Sequence, residues 1–190
     1  MNPLKEQAKV IGWDDGPFTS GQAEPVPLVG VVTRGGGQVD GVVKTELTVD
    51  GMDATDKMVE AVNSSRHRDK LQLVLTDGIT FGGFNVVDVE ELEKKTGLPI
   101  LSVTRKKVDY GSIREALGNL TRPEERWSVI RKAGRLNSVE IRGGKVYYQT
   151  KSLSEKEAER VLGVTSTSSL VPEPLRLAHM IARAYVRGES

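Results

Sequence analysis

Three aspartates stand where a carboxylate could do chemistry. Asp14 closes a short apolar run, Lys9-Val10-Ile11-Gly12-Trp13, and Asp77 closes another, Leu71-Gln72-Leu73-Val74-Leu75-Thr76. Asp53 opens a stretch with helical spacing (Met58, Val59, Val62), and Asp56 follows it by three residues. Carboxylates at two strand ends and a neighbouring helix start can converge on one point. Mg²⁺ or Mn²⁺ suits such a point, because hard cations take oxygen ligands and keep part of their water shell. Paired ions of this kind clamp the attacking and leaving oxygens of a phosphoryl transfer. Each aspartate also has an ordinary role: Asp-Asp-Gly and Asp-Gly are turn sequences, and Asp53 is a natural helix N-cap. Spacing alone does not choose between Asp53 and Asp56, and Asp15, Glu46, Asp50 and Asp88 are further candidates.

Other side chains fit a polyanion. Lys44, Arg105, Lys106 and Lys107 could neutralise phosphates. His67, between Arg66 and Arg68, reads as a surface residue. His179 falls at the boundary of the apolar face of the last helix, and Trp13 and Trp127 read as core. No nucleophile elbow, zinc motif or dinucleotide fingerprint is present.

These residues require strands and helices in a particular order. Lys9–Trp13 reads as a strand, followed by Val26–Arg34, a Gly35-Gly36-Gly37 turn, and an alternating run from Val42 to Val49. Hairpin punctuation makes these three antiparallel. The period then changes to a helix after Asp53, a strand over 71–76, a helix over 86–95 stopped by Gly97, and a strand over 99–103. Strand–helix–strand in short order implies parallel right-handed crossovers. The expected class is therefore α/β, a mixed sheet of three antiparallel strands followed by parallel β-α-β units, with helices on both faces. That element order is the order of ribonuclease H-like domains.

Beyond residue 104 the pattern gives helices near 111–118 and 122–133, and a hairpin around Gly143-Gly144. Ser154 and Glu157 form a capping-box pair. The last helix begins at Pro172-Glu173-Pro174. The economical organisation is one domain over 1–190, with a core at about 1–104 and a C-terminal elaboration at about 105–190.

Composition narrows the class. The chain has 190 residues, 37% hydrophobic and 28% charged, enough for one sizeable core. Cysteine is absent, which excludes disulfides, thiolate metal sites and a cysteine nucleophile. No apolar run approaches the ~18 residues of a membrane span, and the first residues lack the apolar region of a signal peptide. The expected location is the cytoplasm. The net charge of +1 hides an asymmetry: residues 1–100 carry 10 basic and 16 acidic side chains, residues 101–190 carry 17 and 10. An acidic half beside a basic half suits a cation site next to a polyanion-binding surface.

The same residues resemble a known family. Leu73-Val-Leu-Thr-Asp-Gly78, Gly82-Gly-Phe-Asn85, Thr96-Gly-Leu-Pro-Ile100 and Val171-Pro-Glu-Pro-Leu-Arg-Leu-Ala-His179 resemble segments of endonuclease V. Ile11-Gly-Trp-Asp-Asp-Gly-Pro-Phe18, the run 39–55 and Thr76-Asp-Gly-Ile-Thr-Phe-Gly-Gly-Phe-Asn85 resemble its largely archaeal relative, domain of unknown function 99, across essentially the whole chain. The resemblance implies a ribonuclease H-like fold and a Mg²⁺- or Mn²⁺-dependent nuclease acting on DNA or RNA. Carried over, the family's metal-binding carboxylates fall on Asp14, Asp77 and, near the helix start, Asp53, with Ala54 an equally simple gapless choice. Its active-site lysine falls on Arg105 beside Lys106, and its C-terminal histidine on His179. The Tyr-x-Pro-Gly wedge of endonuclease V has no counterpart at 44–47, where the chain reads Lys-Thr-Glu-Leu. Phe81 and Phe84 could supply a substitute wedge. The alternatives to a nuclease are a non-cleaving nucleic-acid-binding module and a metal-dependent hydrolase of a small nucleotide.

Overall fold

The computed structural model describes residues 7–190. Its chain is organised around one seven-stranded sheet. Strands β1 (Lys9–Asp15), β2 (Val26–Arg34) and β3 (Gln38–Leu47) form the antiparallel part. After helix α1 (Ala54–Ser64) the chain enters β4 (Leu71–Asp77), which lies parallel to β1. A two-residue ribbon, β5 (Thr80–Phe81) with β6 (Asn85–Val86), precedes helix α2 (Val89–Thr96) and strand β7 (Ile100–Thr104), parallel to β4. Helices α3 (Tyr110–Leu117) and α4 (Pro123–Lys132) follow. The hairpin β8 (Asn137–Ile141) and β9 (Gly144–Gln149) then returns to the sheet, with β9 antiparallel to β7. Helices α5 (Glu155–Thr165) and α6 (Glu173–Arg187) complete the fold. The sheet order is β3-β2-β1-β4-β7-β9-β8. The C-terminal hairpin thus extends the same sheet that the N-terminal strands begin.

Helices cover both faces because the central strands are buried on both sides. Ile11, Trp13, Val74 and Ile100 pack with Met58 and Val62 of α1 and Leu92 of α2. On the opposite face Leu73, Leu75, Leu101 and Val103 pack with Val161 and Leu162 of α5 and Leu175 of α6. Continuous apolar runs in β2 and β4, rather than alternating ones, are the consequence. Strand β3 is one edge, and from Val42 to Glu46 its exposed residues alternate with half-buried ones.

Two local expectations change. The helix expected from residue 86 begins at Val89, because Asp88 accepts a bond from the Glu91 amide as N-cap while residues 85–86 pair with β5. Asp53 is the N-cap residue of α1 but its side chain makes no capping bond. Asn85 takes that task from 31 residues away: its Oδ1 accepts from the Ala54 amide at 2.9 Å. The Ser154–Glu157 capping box of α5 is present in both directions.

Candidate active site

Parallel strands bring their C-terminal ends to one edge, where ligands of open α/β sheets bind. Trp13 and Thr76 are register partners across β1 and β4, so the next residues, Asp14 and Asp77, stand side by side at that edge. Asp14 is only 5% exposed, and burial with the facing charges of Asp77 and Asp15 pushes its pKa up to about 9. Asp77 keeps part of its surface open at the strand end, yet the protein packed around its carboxyl also raises its pKa. Arg105 and then His179 pull it back down. The geometry therefore gathers Asp14, Asp77, Arg105 and His179.

His179 reaches the edge through an unusually close helix–strand contact. A Cβ on Gly12 would lie 2.8 Å from the backbone carbonyl carbon and Cβ of Pro174, so the start of α6 rests directly on β1. From Gly12 two strand residues advance about 6.6 Å to Asp14. From Leu175 four helix residues advance about 6 Å, returning to the same face at His179. The two side chains meet, with His179 Nδ1 and Asp14 Oδ2 2.9 Å apart. The other Asp14 oxygen, Oδ1, accepts the Asp15 amide at 2.9 Å.

Asp15 points elsewhere: its Oδ2 accepts the Gly82 amide, tying β1 to the 78–88 loop, and burial raises its pKa. Asp53 is separate from the gathered group. Its Oδ2 accepts from Thr48 Oγ1 at 3.0 Å, and its Oδ1 accepts from Asn85 Nδ2 at 2.5 Å. Its alternative, Asp56, is a surface partner of Lys95 at 2.8 Å. Asp50 Oδ1 accepts the Phe84 amide at 2.8 Å, Glu46 pairs with Lys44 on β3, and Asp88 caps α2. Lys44 Nζ also donates to Tyr185 Oη of α6 at 3.2 Å. Lys106 and Lys107 are exposed in the β7–α3 connection, directly after Arg105.

Phe81 is fully buried and Trp13 is core, while Phe84 and Trp127 pack around α3 and α4. His67 is half-buried against Gly41 rather than on the open surface. Sequence reasoning missed Arg126. It is 1% exposed, and its guanidinium donates to the carbonyls of Thr121, Asp50, Gly51 and Phe84. It thereby fastens α4 to the two loops that carry Asp50 and Asn85. Partners of that kind are backbone atoms and leave no trace in residue types.

The donor set is suited to a divalent cation. Two acidic side chains face each other at the edge; burial raises both pKa values, and at Asp14 the charges of Asp77 and Asp15 add to it, a strain that a bound cation would relieve. Among the described residues no group of three His, Cys, Asp or Glu side chains is arranged around a common point. Two carboxylates with water and substrate phosphate are a normal Mg²⁺ environment, so the pair fits.

The fold is ribonuclease H-like, the fold that endonuclease V also has. Endonuclease V of Ciona intestinalis, solved with a 24mer DNA containing an inosine followed by a ribo-adenosine, superposes with a TM-score of 0.63 at 13% identity, over 95% of this chain and 87% of that one. The chain belongs to the endonuclease dU family, whose model matches residues 6–186. A UPF0215 protein of Methanopyrus kandleri is 44% identical over 100% of this chain and 97% of its own length. A protein of unknown function from Archaeoglobus fulgidus has the same fold with a TM-score of 0.84 and 34% identity, covering 94% of this chain and 97% of that one. Among the described residues no helix is long and apolar enough to cross a membrane.

Proposed function

We propose that this protein is a divalent-metal-dependent endonuclease that hydrolyses a phosphodiester of DNA close to a deoxyuridine. The observation that carries the reading is the Asp14–Asp77 pair at the sheet edge, with Arg105 and His179 converging on it. The family description supports the choice of deoxyuridine, and the lack of the Tyr-x-Pro-Gly wedge separates this chain from inosine-directed relatives.

Asp14 and Asp77 would hold Mg²⁺ or Mn²⁺, which when bound supplies a Lewis acid beside the scissile phosphorus. Asp53 keeps its bonds to Thr48 and Asn85 and holds the start of α1 in place. Arg105 offers a permanently charged guanidinium to a non-bridging phosphate oxygen, a role that needs no proton exchange. His179 is anchored to Asp14 through Nδ1, which leaves Nε2 free towards solvent. From there it can orient the attacking water or give a proton to the leaving 3′ oxygen. Lys106, Lys107 and Lys44 lie outside the edge as contacts for flanking phosphates.

The test is cleavage of end-labelled oligonucleotides carrying one deoxyuridine, one deoxyinosine or only ordinary bases, with Mg²⁺ or Mn²⁺. The expected result is metal-dependent cutting of the deoxyuridine strand by the wild type, lost in Asp14→Asn and Asp77→Asn. Undiminished cleavage by both variants sinks the assignment. Salt-sensitive binding without turnover under either metal means a non-cleaving binding module instead.

A further inference from the structure

Directly behind the acidic edge lies a cavity of about 140 Å³, on the face of the sheet opposite α5 and α6. It starts at Gly78, the residue after Asp77, whose left-handed backbone (φ +73°) turns the chain from β4 into the cavity wall. Ile79, Val108, Tyr110 and Ile113 give it apolar sides, and Thr104, next to Arg105, lies on the wall as well. A strand whose phosphate rests between Asp77 and Arg105 thus has this cavity beside it.

The sheet contributes two polar groups. Thr76, Ser102 and Gln149 are successive register partners across β4, β7 and β9, so their side chains form one row on one face. All three are buried, and Ser102 and Gln149 line the cavity. Thr76 Oγ1 and Ser102 Oγ share one hydrogen bond at 2.8 Å, and when Thr76 donates, Ser102, the member of the pair on the cavity wall, can turn its own proton into the cavity. Gln149 Nε2 donates to the Gly134 carbonyl at 2.8 Å, which fixes the amide and turns Oε1 the other way. That oxygen accepts from no donor among the described residues. Ser102 and Gln149 line the cavity, so a donor beside an acceptor there is a place for a ligand of the inverse pattern.

We infer that this cavity receives an unstacked nucleobase, and that Gln149 and Ser102 read a ring N–H beside a ring carbonyl. Uracil presents that edge: its N3–H would donate to Gln149 Oε1, and an adjacent carbonyl would accept from Ser102. Cytosine and adenine have no ring N–H on their pairing edge. The inference rests on the reading of the edge as the place where a DNA strand lies. It adds residues that reject cytosine and adenine, one of them from the C-terminal hairpin; thymine shares uracil's pairing edge, and this pair does not set the two apart.

The experiment measures binding rather than cutting. Fluorescence anisotropy in EDTA would compare single-stranded oligonucleotides identical except for one central deoxyuridine or deoxycytidine, so that no energy is needed to open a duplex. The wild type should prefer deoxyuridine by roughly tenfold or more, since a site built to hydrogen-bond a group rejects the analogue lacking it. Gln149→Leu and Ser102→Ala should each bring the ratio close to one while changing affinity for the deoxycytidine strand less than about threefold. Val108→Trp, which narrows the cavity without touching the polar pair, should also erase the preference, and it decides the matter with Ser102→Ala if Gln149→Leu fails to fold. A wild type without preference, or a preference kept in Ser102→Ala and Val108→Trp, overturns the inference. Metal-dependent cutting with an unchanged preference in these variants would leave the nuclease reading standing and remove the pocket. Preference without cutting would do the reverse.

Discussion

His179 and Asp14, 165 residues apart, meet through Nδ1 and Oδ2 at 2.9 Å. The contact joins the last helix to the first strand, and it exists because the strand has no side chain two residues earlier. Gly12 lets Pro174 and the Leu175 amide approach to within 3 Å of where a Cβ would stand. One missing methyl group therefore sets the height of α6 over the sheet and, one turn further, the position of the imidazole.

Gly12→Ala tests that dependence. The added Cβ meets backbone atoms of Pro174 and Leu175, which cannot rotate away. Moving the helix should lower stability by about 1–3 kcal/mol. It should also separate His179 from Asp14, so the proposed nuclease activity should fall further than thermal stability alone explains. Near-wild-type activity in a folded Gly12→Ala variant would show that the close approach has no part in the site.

Asp14 gives a pH prediction with a definite sign. Burial first, then Asp77 and Asp15, raise its pKa from the ordinary 3.8 to about 9 in the folded protein. The folded state binds this proton more tightly than the unfolded chain does, so the group's contribution to stability is complete below about pH 4. It is lost progressively as pH rises towards 9. In EDTA, Asp14→Asn should therefore melt higher than wild type at pH 8, and the difference should shrink at pH 5. Mg²⁺ or Mn²⁺ should raise the wild-type melting temperature at pH 8 and leave the variant almost unmoved. Equal metal responses in both proteins would take Asp14 out of the ligand set.

The strand-end positions of Asp14 and Asp77 were legible in the sequence because a strand end followed by a turn is a local pattern. So were the Ser154–Glu157 box and the Gly143-Gly144 hairpin. What the hairpin pairs with was not legible, since Ser102 meets Gln149 through the three-dimensional fold and no local period encodes it. The same holds for α1: Asp53 has the right type and place for a cap, but its carboxylate turns to Thr48 and Asn85 while Asn85 caps the helix. Arg105 and Lys106 are equivalent by residue type, and only the fold sets Arg105 against Asp77.

Arg126 carries a stability prediction. Its guanidinium donates to four carbonyls, including Asp50 and Gly51 on one loop and Phe84 on another. Arg126→Met keeps most of the volume but leaves those carbonyls without a donor. Losing bonds from a charged donor to buried acceptors should cost about 3 kcal/mol or more, a fall of roughly 6–12 °C in melting temperature for a chain of this size. Hydrogen exchange should rise first around residues 50–54 and 82–86. A variant that melts within about 2 °C of wild type would mean that water replaces the guanidinium without loss.

Substitutions of Arg105 test what kind of help the proposed site takes from its cation. It sits against Asp77 and lowers that carboxyl's pKa, opposing the larger effect of burial. If it only neutralises phosphate, a lysine should serve nearly as well, because both are cationic at neutral pH. Arg105→Lys should then keep cleavage within about threefold, with a pH profile that overlays the wild type below pH 9. Arg105→Ala should lose roughly 10²-fold or more, as removal of a charge-stabilising group does, and the loss should grow as salt is lowered and electrostatics strengthen. A new basic limb in the Arg105→Lys profile, absent from the wild type, would instead mean that position 105 exchanges protons with the substrate, a chemistry the arginine cannot perform.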